Sequence, residues 1–255
     1  MFKEEKKFYD ENGYVILNKV FSDEEAEIFN KSIRRHANKS FAALINPDRY
    51  ESLFDQDERP KSDITISEIK ETSELARSIM TDQRMVELLD IFHEEKTIGL
   101  SSQFIFKEAY SDYSSQAWRP HQDNFYPKNK NAAYITLNWF LKDADKENGT
   151  IFCYPRSHKL GLLPAKNNVS FREKIGENPG SECKIPDDFL DKKTDIIIPA
   201  NSVVILNGNC IHGSYPNNSN RSRPWFSSCY ISEGEDYFIG KSSKRQRIDL
   251  KNSNK

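Results

Sequence analysis

From Thr97 onward the chain changes its period. Ile98 to Phe106, Ala133 to Leu141, Thr150 to Tyr154, Asp195 to Ile198, Ser202 to Leu206 and Trp225 to Ile231 are short runs rich in β-branched and aromatic residues. The residues before them read differently. Residues 3–12 form a polar helical segment stopped by Gly13, and Tyr14 to Leu17 reads as a strand. Ser22 followed by Asp23, Glu24 and Glu25 starts a helix that runs to about His36, with acids where the helix dipole favours them. Apolar residues at near-helical spacing (Ile69, Leu75, Ile79, Met80, Leu88, Leu89) predict more helix over 67–94, and 40–65 reads as irregular surface. A helical N-terminal part followed by many short strands restricts the architecture to a mainly β fold: a double-stranded β-helix, the cupin-like jelly-roll barrel, buttressed by helices. The organisation expected is one domain over 1–255. Residues 1–95 are mostly helical support, 96–235 the barrel with a long polar loop at 158–193, and 242–255 a frayed polar tail.

Within the strands lies His121-Gln122-Asp123, and 89 residues later His212 follows Asn209-Cys210-Ile211. A strand points residues i and i+2 to the same face, which would turn one imidazole and one carboxylate into the same space. A histidine from a distant strand completes two histidines and one carboxylate on one face of an octahedron, the set that holds non-haem Fe(II) and leaves positions open for cosubstrate and O2. Spacing alone leaves open the plainer reading, three polar residues that fit a loose pattern. The surroundings favour metal: His121 follows Pro120 and precedes Phe125-Tyr126, and His212 follows the apolar run Val203 to Leu206 and a turn at Asn207-Gly208.

The chain resembles the phytanoyl-CoA dioxygenase family of Fe(II)/2-oxoglutarate oxygenases. The resemblance runs from Phe8-Tyr9-Asp10-Glu11-Asn12-Gly13-Tyr14-Val15-Ile16-Leu17 through His121-Gln122-Asp123-Asn124-Phe125-Tyr126, Glu147-Asn148-Gly149-Thr150 and Pro155-Arg156-Ser157-His158-Lys159. It ends in Val203 to Leu206 and His212-Gly213-Ser214. Arg156 stands where the family usually has glycine, a departure at a turn and not at a ligand. The resemblance implies Fe(II) on His121, Asp123 and His212, with 2-oxoglutarate as cosubstrate and O2 as oxidant. It matches Arg223, eleven residues after His212, to the arginine that pairs with the far carboxylate of 2-oxoglutarate, a task suited to a planar guanidinium. Ser214, two residues past His212, would point the same way and can donate to the same carboxylate; the plainer reading is an ordinary turn hydroxyl. Gln103 and Thr136 are candidates for the wall around the cosubstrate. Arg221 reads as a solvated turn charge on the strand that returns to Arg223.

The reaction expected is hydroxylation of a small molecule with release of succinate and CO2. Relatives that halogenate carry a small residue where this chain has Asp123, so chlorination is disfavoured. Two other classes remain: a non-catalytic jelly-roll binding protein, and a cupin-like metalloenzyme that does not use 2-oxoglutarate. Arg223 argues against the second.

Other polar residues have simpler roles. His158 reads as fixing a turn, His36 and His93 as surface residues on helices, and Trp139 as core. Trp118, Phe125 and Tyr126 could line a pocket. Lys128, Lys130 and Arg119 flank the His-x-Asp pair and suit either an anionic substrate group or a solvated loop. The formal charge of −2 gives no basic field for nucleic acid. No apolar run approaches the ~20 residues that span a bilayer, and the charged N-terminus lacks the apolar core of a secretory signal. Four cysteines without a CxxC pair point to a reduced, cytoplasmic protein, expected as a monomer or homodimer.

Overall fold

The computed structural model describes residues 2–36, 44–45, 74–167, 181–239, 245 and 247–250. Helix α1 (Lys3–Asn12) closes on Gly13, whose positive φ of 80° lets its N–H return to the Tyr9 carbonyl at 2.7 Å. Strand β1 (Tyr14–Leu17) follows directly. Helix α2 (Asp23–His36) begins in a reciprocal cap, with Glu25 N–H donating to Ser22 Oγ at 3.1 Å and Ser22 N–H to Glu25 Oε2 at 2.8 Å. Sequence expectation treated 67–94 as one helical region. The chain is helical at 74–80 and again in α3 (Gln83–Phe92), broken where Asp82 leaves the helical conformation and caps Arg84 N–H. Asp82 favours the cap over the helix interior because its carboxylate competes for backbone N–H groups. Residues 67–73, and most of the irregular stretch expected at 40–65, lie outside the described residues. Leu44–Ile45 is not irregular: it forms a short strand, β2, on the edge of the main sheet.

The remaining strands are β3 (Thr97–Lys107), β4 (Trp118–His121), β5 (Tyr134–Phe140), β6 (Ile151–Cys153), β7 (Ala165–Asn167), β8 (Ser181–Cys183), β9 (Thr194–Asp195), β10 (Ser202–Asn207), β11 (His212–Ser214) and β12 (Arg223–Ser232). They form a six-stranded sheet ordered β1-β10-β5-β12-β3-β2, a four-stranded sheet ordered β4-β11-β6-β9, and a hairpin of β7 with β8. Every pairing is antiparallel. The architecture is a jelly roll with helices against its larger sheet.

Strand periodicity divides the core. Val203 and Ile205 of β10 face the helices, in a cluster with Tyr9, Phe29, Ile33, Met85 and Leu88, while Val204 and Leu206 face inward with Phe140, Ile151, Cys153 and Ile198. Burial on both sides explains why β5 has no exposed residue, even though Thr136 and Asn138 alternate with Ile135, Leu137 and Trp139 along it. Rings dominate the helix side. Trp139 is fully buried and stacks between Phe21 and Phe29, at centroid distances of 4.1 and 4.9 Å, and Phe29 continues to Phe104 and Phe226.

Two loop expectations change. The stretch at 158–193 is not simply loop. It opens with a 3-10 turn (Ser157–Leu160), pairs β7 with β8, and turns again at Asp187–Phe189, while residues 168–180 lie outside the described residues. The tail is not frayed throughout, because Ile248 bridges Gly99 of β3 and, with Leu250, joins the helix-side core. Two apolar residues at i and i+2 suffice, since extended chain presents both to one face. Gly99 makes room for them: a Cβ there would lie 3.1 Å from Ile248 Cβ and 2.9 Å from Met80 Cε.

Candidate metal centre

His121 is the last residue of β4 and His212 the first of β11, and the two are paired across the ladder. Their rings lie 4.4 Å apart between centroids. Asp123 does not sit on the strand as the same-face reading assumed. Gln122 keeps an extended backbone (φ −116°, ψ 129°), and Asp123 then opens a 3-10 turn (Asp123–Phe125). One extended residue past the strand end is enough to return the carboxylate to the His121 side. Asp123 Oδ1 lies 3.6 Å from His121 Nε2 and 3.5 Å from His212 Nε2.

Both imidazoles are held by the nitrogen that faces away. His121 Nδ1 lies 2.8 Å from the Arg119 carbonyl and His212 Nδ1 lies 3.0 Å from the Cys210 carbonyl. A carbonyl can only accept, so each Nδ1 carries the proton and each Nε2 presents a lone pair to the shared space. Burial lowers the pKa of His212, which favours the neutral ring that a cation requires. Burial alone would raise the Asp123 carboxyl, but His212, His121 and a hydrogen bond from Thr136 outweigh it and hold the carboxyl below its usual range. The three donor atoms lie within 4.8 Å of one another. Donors each about 2.1 Å from one metal ion stand about 3 to 3.5 Å apart, so the set fits a single ion.

Gly213 keeps the two strands close. A Cβ there would fall 2.4 Å from the Trp118 carbonyl and 2.5 Å from Phe152 Cζ. Trp118 in turn stands beside His121, with ring centroids 5.8 Å apart.

Farther along the barrel interior, Arg223 is fully buried, packs over the Trp225 ring at 4.3 Å and is paired with Lys107 of β3. Lys107 is fully buried as well. Its Nζ donates to Ser214 Oγ at 3.1 Å and to the Tyr215 carbonyl at 2.5 Å. Burial, reinforced by the Arg223 charge, pushes its pKa well down. Three donors thus meet on one wall, and an anion entering there would gain from each. Ser214 is therefore a buried partner of a lysine and not a loose turn hydroxyl. Arg221 lies before β12 and not on it; it is exposed, as the solvated charge expected, and its ion pair with Asp145 at 2.7 Å lies at the surface. Thr136 is buried, reaches Asp123 and accepts from Asn138 Nδ2 at 3.1 Å, while half-buried Gln103 shares the inward face of β3 with Lys107.

Sequence reading missed Lys107. Its parity with Gln103 and Ile105 on one long strand was the available signal. His93 is not a surface residue: it is half-buried at the end of α3, with Nε2 2.7 Å from Ser232 Oγ. His158 fixes a turn as expected, with Nε2 3.2 Å from the Asp10 carbonyl and its ring lying where a Cβ on Gly13 would be. The side chain of His36 lies outside the described residues. Arg119 is paired with Glu182 at 2.9 Å, Tyr126 Oη accepts from Ser181 N–H at 3.3 Å, and Lys128 Nζ stands 5.5 Å from the Phe125 and Phe238 rings. A surface cleft lined by Asp23, Glu27, Lys142, Asp143 and Arg221 includes none of the triad residues.

Comparison with known proteins agrees with this arrangement. A curated relative, a probable alpha-ketoglutarate-dependent hypophosphite dioxygenase from Stutzerimonas stutzeri, is 26% identical over 86% of this chain and 74% of its own length. The peroxisomal phytanoyl-CoA dioxygenase of Bos taurus is 22% identical over 92% of this chain and 70% of its own. Among solved structures, the epimerase SnoN in complex with Fe3+, alpha ketoglutarate and nogalamycin RO superposes with a TM-score of 0.69 at 16% identity, covering 99% of this chain and 96% of SnoN. HygX from Streptomyces hygroscopicus, with nickel and 2-oxoglutarate bound, gives 0.61 at 14% identity over 92% and 88%. The family model for phytanoyl-CoA dioxygenase matches residues 9–225, a span that takes in the three clustered side chains and Arg223, and the chain belongs to that family.

Proposed function

We propose that the protein is an Fe(II)- and 2-oxoglutarate-dependent dioxygenase that hydroxylates a small molecule and releases succinate and CO2. The observation that carries the reading is the paired orientation of His121 and His212. Each is pinned at Nδ1 to a carbonyl and turns Nε2 toward the Asp123 carboxylate, in the same barrel as the buried Arg223, Lys107 and Ser214. The bound iron with 2-oxoglutarate supplies the oxidising power that no side chain here has. The chain's own residues do the rest. His121, Asp123 and His212 would hold the ion. Arg223 and Lys107 would hold the far carboxylate of 2-oxoglutarate in a partly dry setting, where a charge-assisted contact is strong. Thr136 fixes the Asp123 carboxylate.

With Asp123 as a ligand, no place would be left for a halide, which favours oxygen transfer to the substrate. The names of two relatives, for hypophosphite and for phytanoyl-CoA, share anionic character. An anionic group on the substrate here is supported by Lys128 and Lys130, exposed on the turn after Asp123. No helix among the described residues is long and apolar enough to cross a membrane, and the four cysteines are free and buried. Free cysteines suit a reducing compartment, and the proposal extends to a cytoplasmic enzyme working as a monomer or homodimer, without nucleic acid.

Succinate release from 2-oxoglutarate with added Fe(II), measured against pools of candidate substrates, tests the proposal. Iron-dependent succinate that rises with one pool is the expected result, together with its loss in His212→Ala. Metal-dependent turnover without 2-oxoglutarate would favour the cupin-like alternative. Metal binding with no turnover on any pool would favour a binding protein.

A further inference from the structure

The residues on either side of Asp123 turn their side chains away from the metal face, and both reach the same partner. Gln122 is buried; its Nε2 donates to the Asn209 carbonyl at 2.7 Å and the Gly161 carbonyl at 2.8 Å, and its Oε1 accepts from Leu163 N–H at 2.7 Å. Asn124 is fully buried. Its Nδ2 donates to Asn209 Oδ1 and to the Asn129 carbonyl, both at 2.8 Å, its Oδ1 accepts from Asn129 N–H at 3.0 Å, and its own N–H donates to the Gly208 carbonyl at 2.8 Å. Asn209 therefore takes one hydrogen bond on its main-chain oxygen from the residue before Asp123, and one on its side-chain oxygen from the residue after it. Its own N–H is held by Asn207 Oδ1 at 2.9 Å, and His212 lies three residues further on.

This bridge does what the sheet cannot. The ladder joining β4 to β11 pairs only His212 with His121 and Ser214 with Trp118, and its register shifts between them. Asp123 lies beyond the end of β4, where no strand pairing reaches it. Buried amides in a low-dielectric setting tolerate little displacement, because a lost partner leaves a polar group unsatisfied. We infer that Asn209 is a positioning residue for the metal centre, fixing Asp123 relative to His212 through Gln122 and Asn124. The inference rests on the metal site proposed above. Groups hydrogen-bonded to the ligands themselves typically change metal affinity by about 10- to 100-fold when removed. Asn209 acts through the chain neighbours of a ligand, and the lower end of that range is expected.

Co(II) titration of the full-length protein, followed by its absorption spectrum without turnover, gives the test. Asn209→Leu and Asn124→Leu should each weaken Co(II) binding about tenfold or more. The double variant should be no weaker than the worse single one, since both changes cut the same bridge. Asn209→Asp keeps a side-chain oxygen for Asn124 and should bind within about threefold of the parent. Tyr230→Phe removes a buried hydrogen bond to the Met80 carbonyl on the helix side and serves as the control for general loosening. It should lower the melting temperature and leave the Co(II) affinity within twofold. If Asn209→Leu does not fold, Asn124→Leu carries the same comparison. Equal Co(II) affinity in the parent and both leucine variants, or losses that track melting temperature and appear equally in Tyr230→Phe, would overturn the positioning role and leave the metal site standing. A parent protein that binds no Co(II) would overturn both.

Discussion

Gly213 separates His212 from Ser214, and its lack of a side chain brings β4 and β11 together. Alanine there must push against the Trp118 main chain, because its Cβ would fall 2.4 Å from that carbonyl. Since β4 ends in His121, the push moves one imidazole relative to the other. Misplacement of about 1 Å can cost on the order of 100-fold in rate. Gly213→Ala should therefore lose activity by about that factor while keeping most of its far-ultraviolet circular dichroism. On the anion wall, Arg223→Ala should cost about 2–5 kcal/mol of 2-oxoglutarate binding, read as a rise in its KM of about thirtyfold or more. Lys107→Met should raise the same KM, and Arg221→Ala should hardly change it, because Arg221 spends its charge on Asp145 at the surface. Comparing the three KM values decides whether Arg223 and Lys107 form one subsite. His121 and Asp123 were legible as a pair because they stand two residues apart, whereas His212, 89 residues after Asp123, was joined to them by its surroundings and by the family resemblance. Lys107 escaped because a lysine at the end of a strand ordinarily reaches solvent. Only its complete burial and its pairing with Arg223 of β12 show that this one cannot.

At the scale of elements, the helices follow local chemistry closely. The Ser22–Glu25 cap and the Gly13 stop stand where a reader of caps would put them. The break at Asp82 was hidden, because apolar spacing runs across it. Arg84 ties α3 to α2, bonding Glu25 of α2 at 2.8 Å and the α3 cap Asp82 at 2.9 Å. Its hydrogen bonds, with the Ser22 backbone, bring the Glu25 carboxyl down to about 2 from an ordinary 4.5. A carboxyl depressed in the folded state stabilises above its unfolded value and loses that contribution as pH falls. The Arg84 pairing should thus be complete above about pH 4.5 and fade toward pH 2. Thermal melts of Arg84→Met against the parent should differ at pH 7 and converge as pH falls toward 2. The bounds of β4 and β11 were beyond reach of the sequence, although His121 and His212 were placed on strands, because each is three or four residues long and defined by a partner distant in the chain. Strands β7 and β8 went unseen as three-residue strands inside a polar stretch. The β7–β8 hairpin runs beside the His-x-Asp segment, through Arg119–Glu182, Tyr126–Ser181 and Gln122–Leu163. We expect the described residues around this hairpin, 160–167 and 181–192, to close over the metal when the site is filled. Amide exchange at 161–167 and 181–183 should slow when metal, 2-oxoglutarate and substrate are added together. Exchange that is the same with and without them would make the hairpin a fixed wall.

For the whole molecule, jelly-roll class was legible because long buried strands such as β3, β5 and β12 carry their own β-branched and aromatic signature. The closure of the core by Ile248 was not, since two apolar residues in a polar tail are an unremarkable pattern until Gly99 is seen beneath them. Ile248→Ala should cost about 2 kcal/mol, a fall in melting temperature of roughly 4–8 °C by calorimetry. Strand β1 has a different kind of weight. It pairs with β10, from Tyr14 against Leu206 to Leu17 against Val203, and so forms one margin of the large sheet. Those partners lie 186 to 192 residues apart. During synthesis on the ribosome, β1 is made before its partner and must wait, unpaired and apolar, until β10 has emerged. Folding is thereby pushed toward a late, slow, post-translational event, as expected where non-local pairing dominates. A chain that loses its first seventeen residues would leave the Ser202–Asn207 margin of the sheet open, inviting other chains to take the missing place.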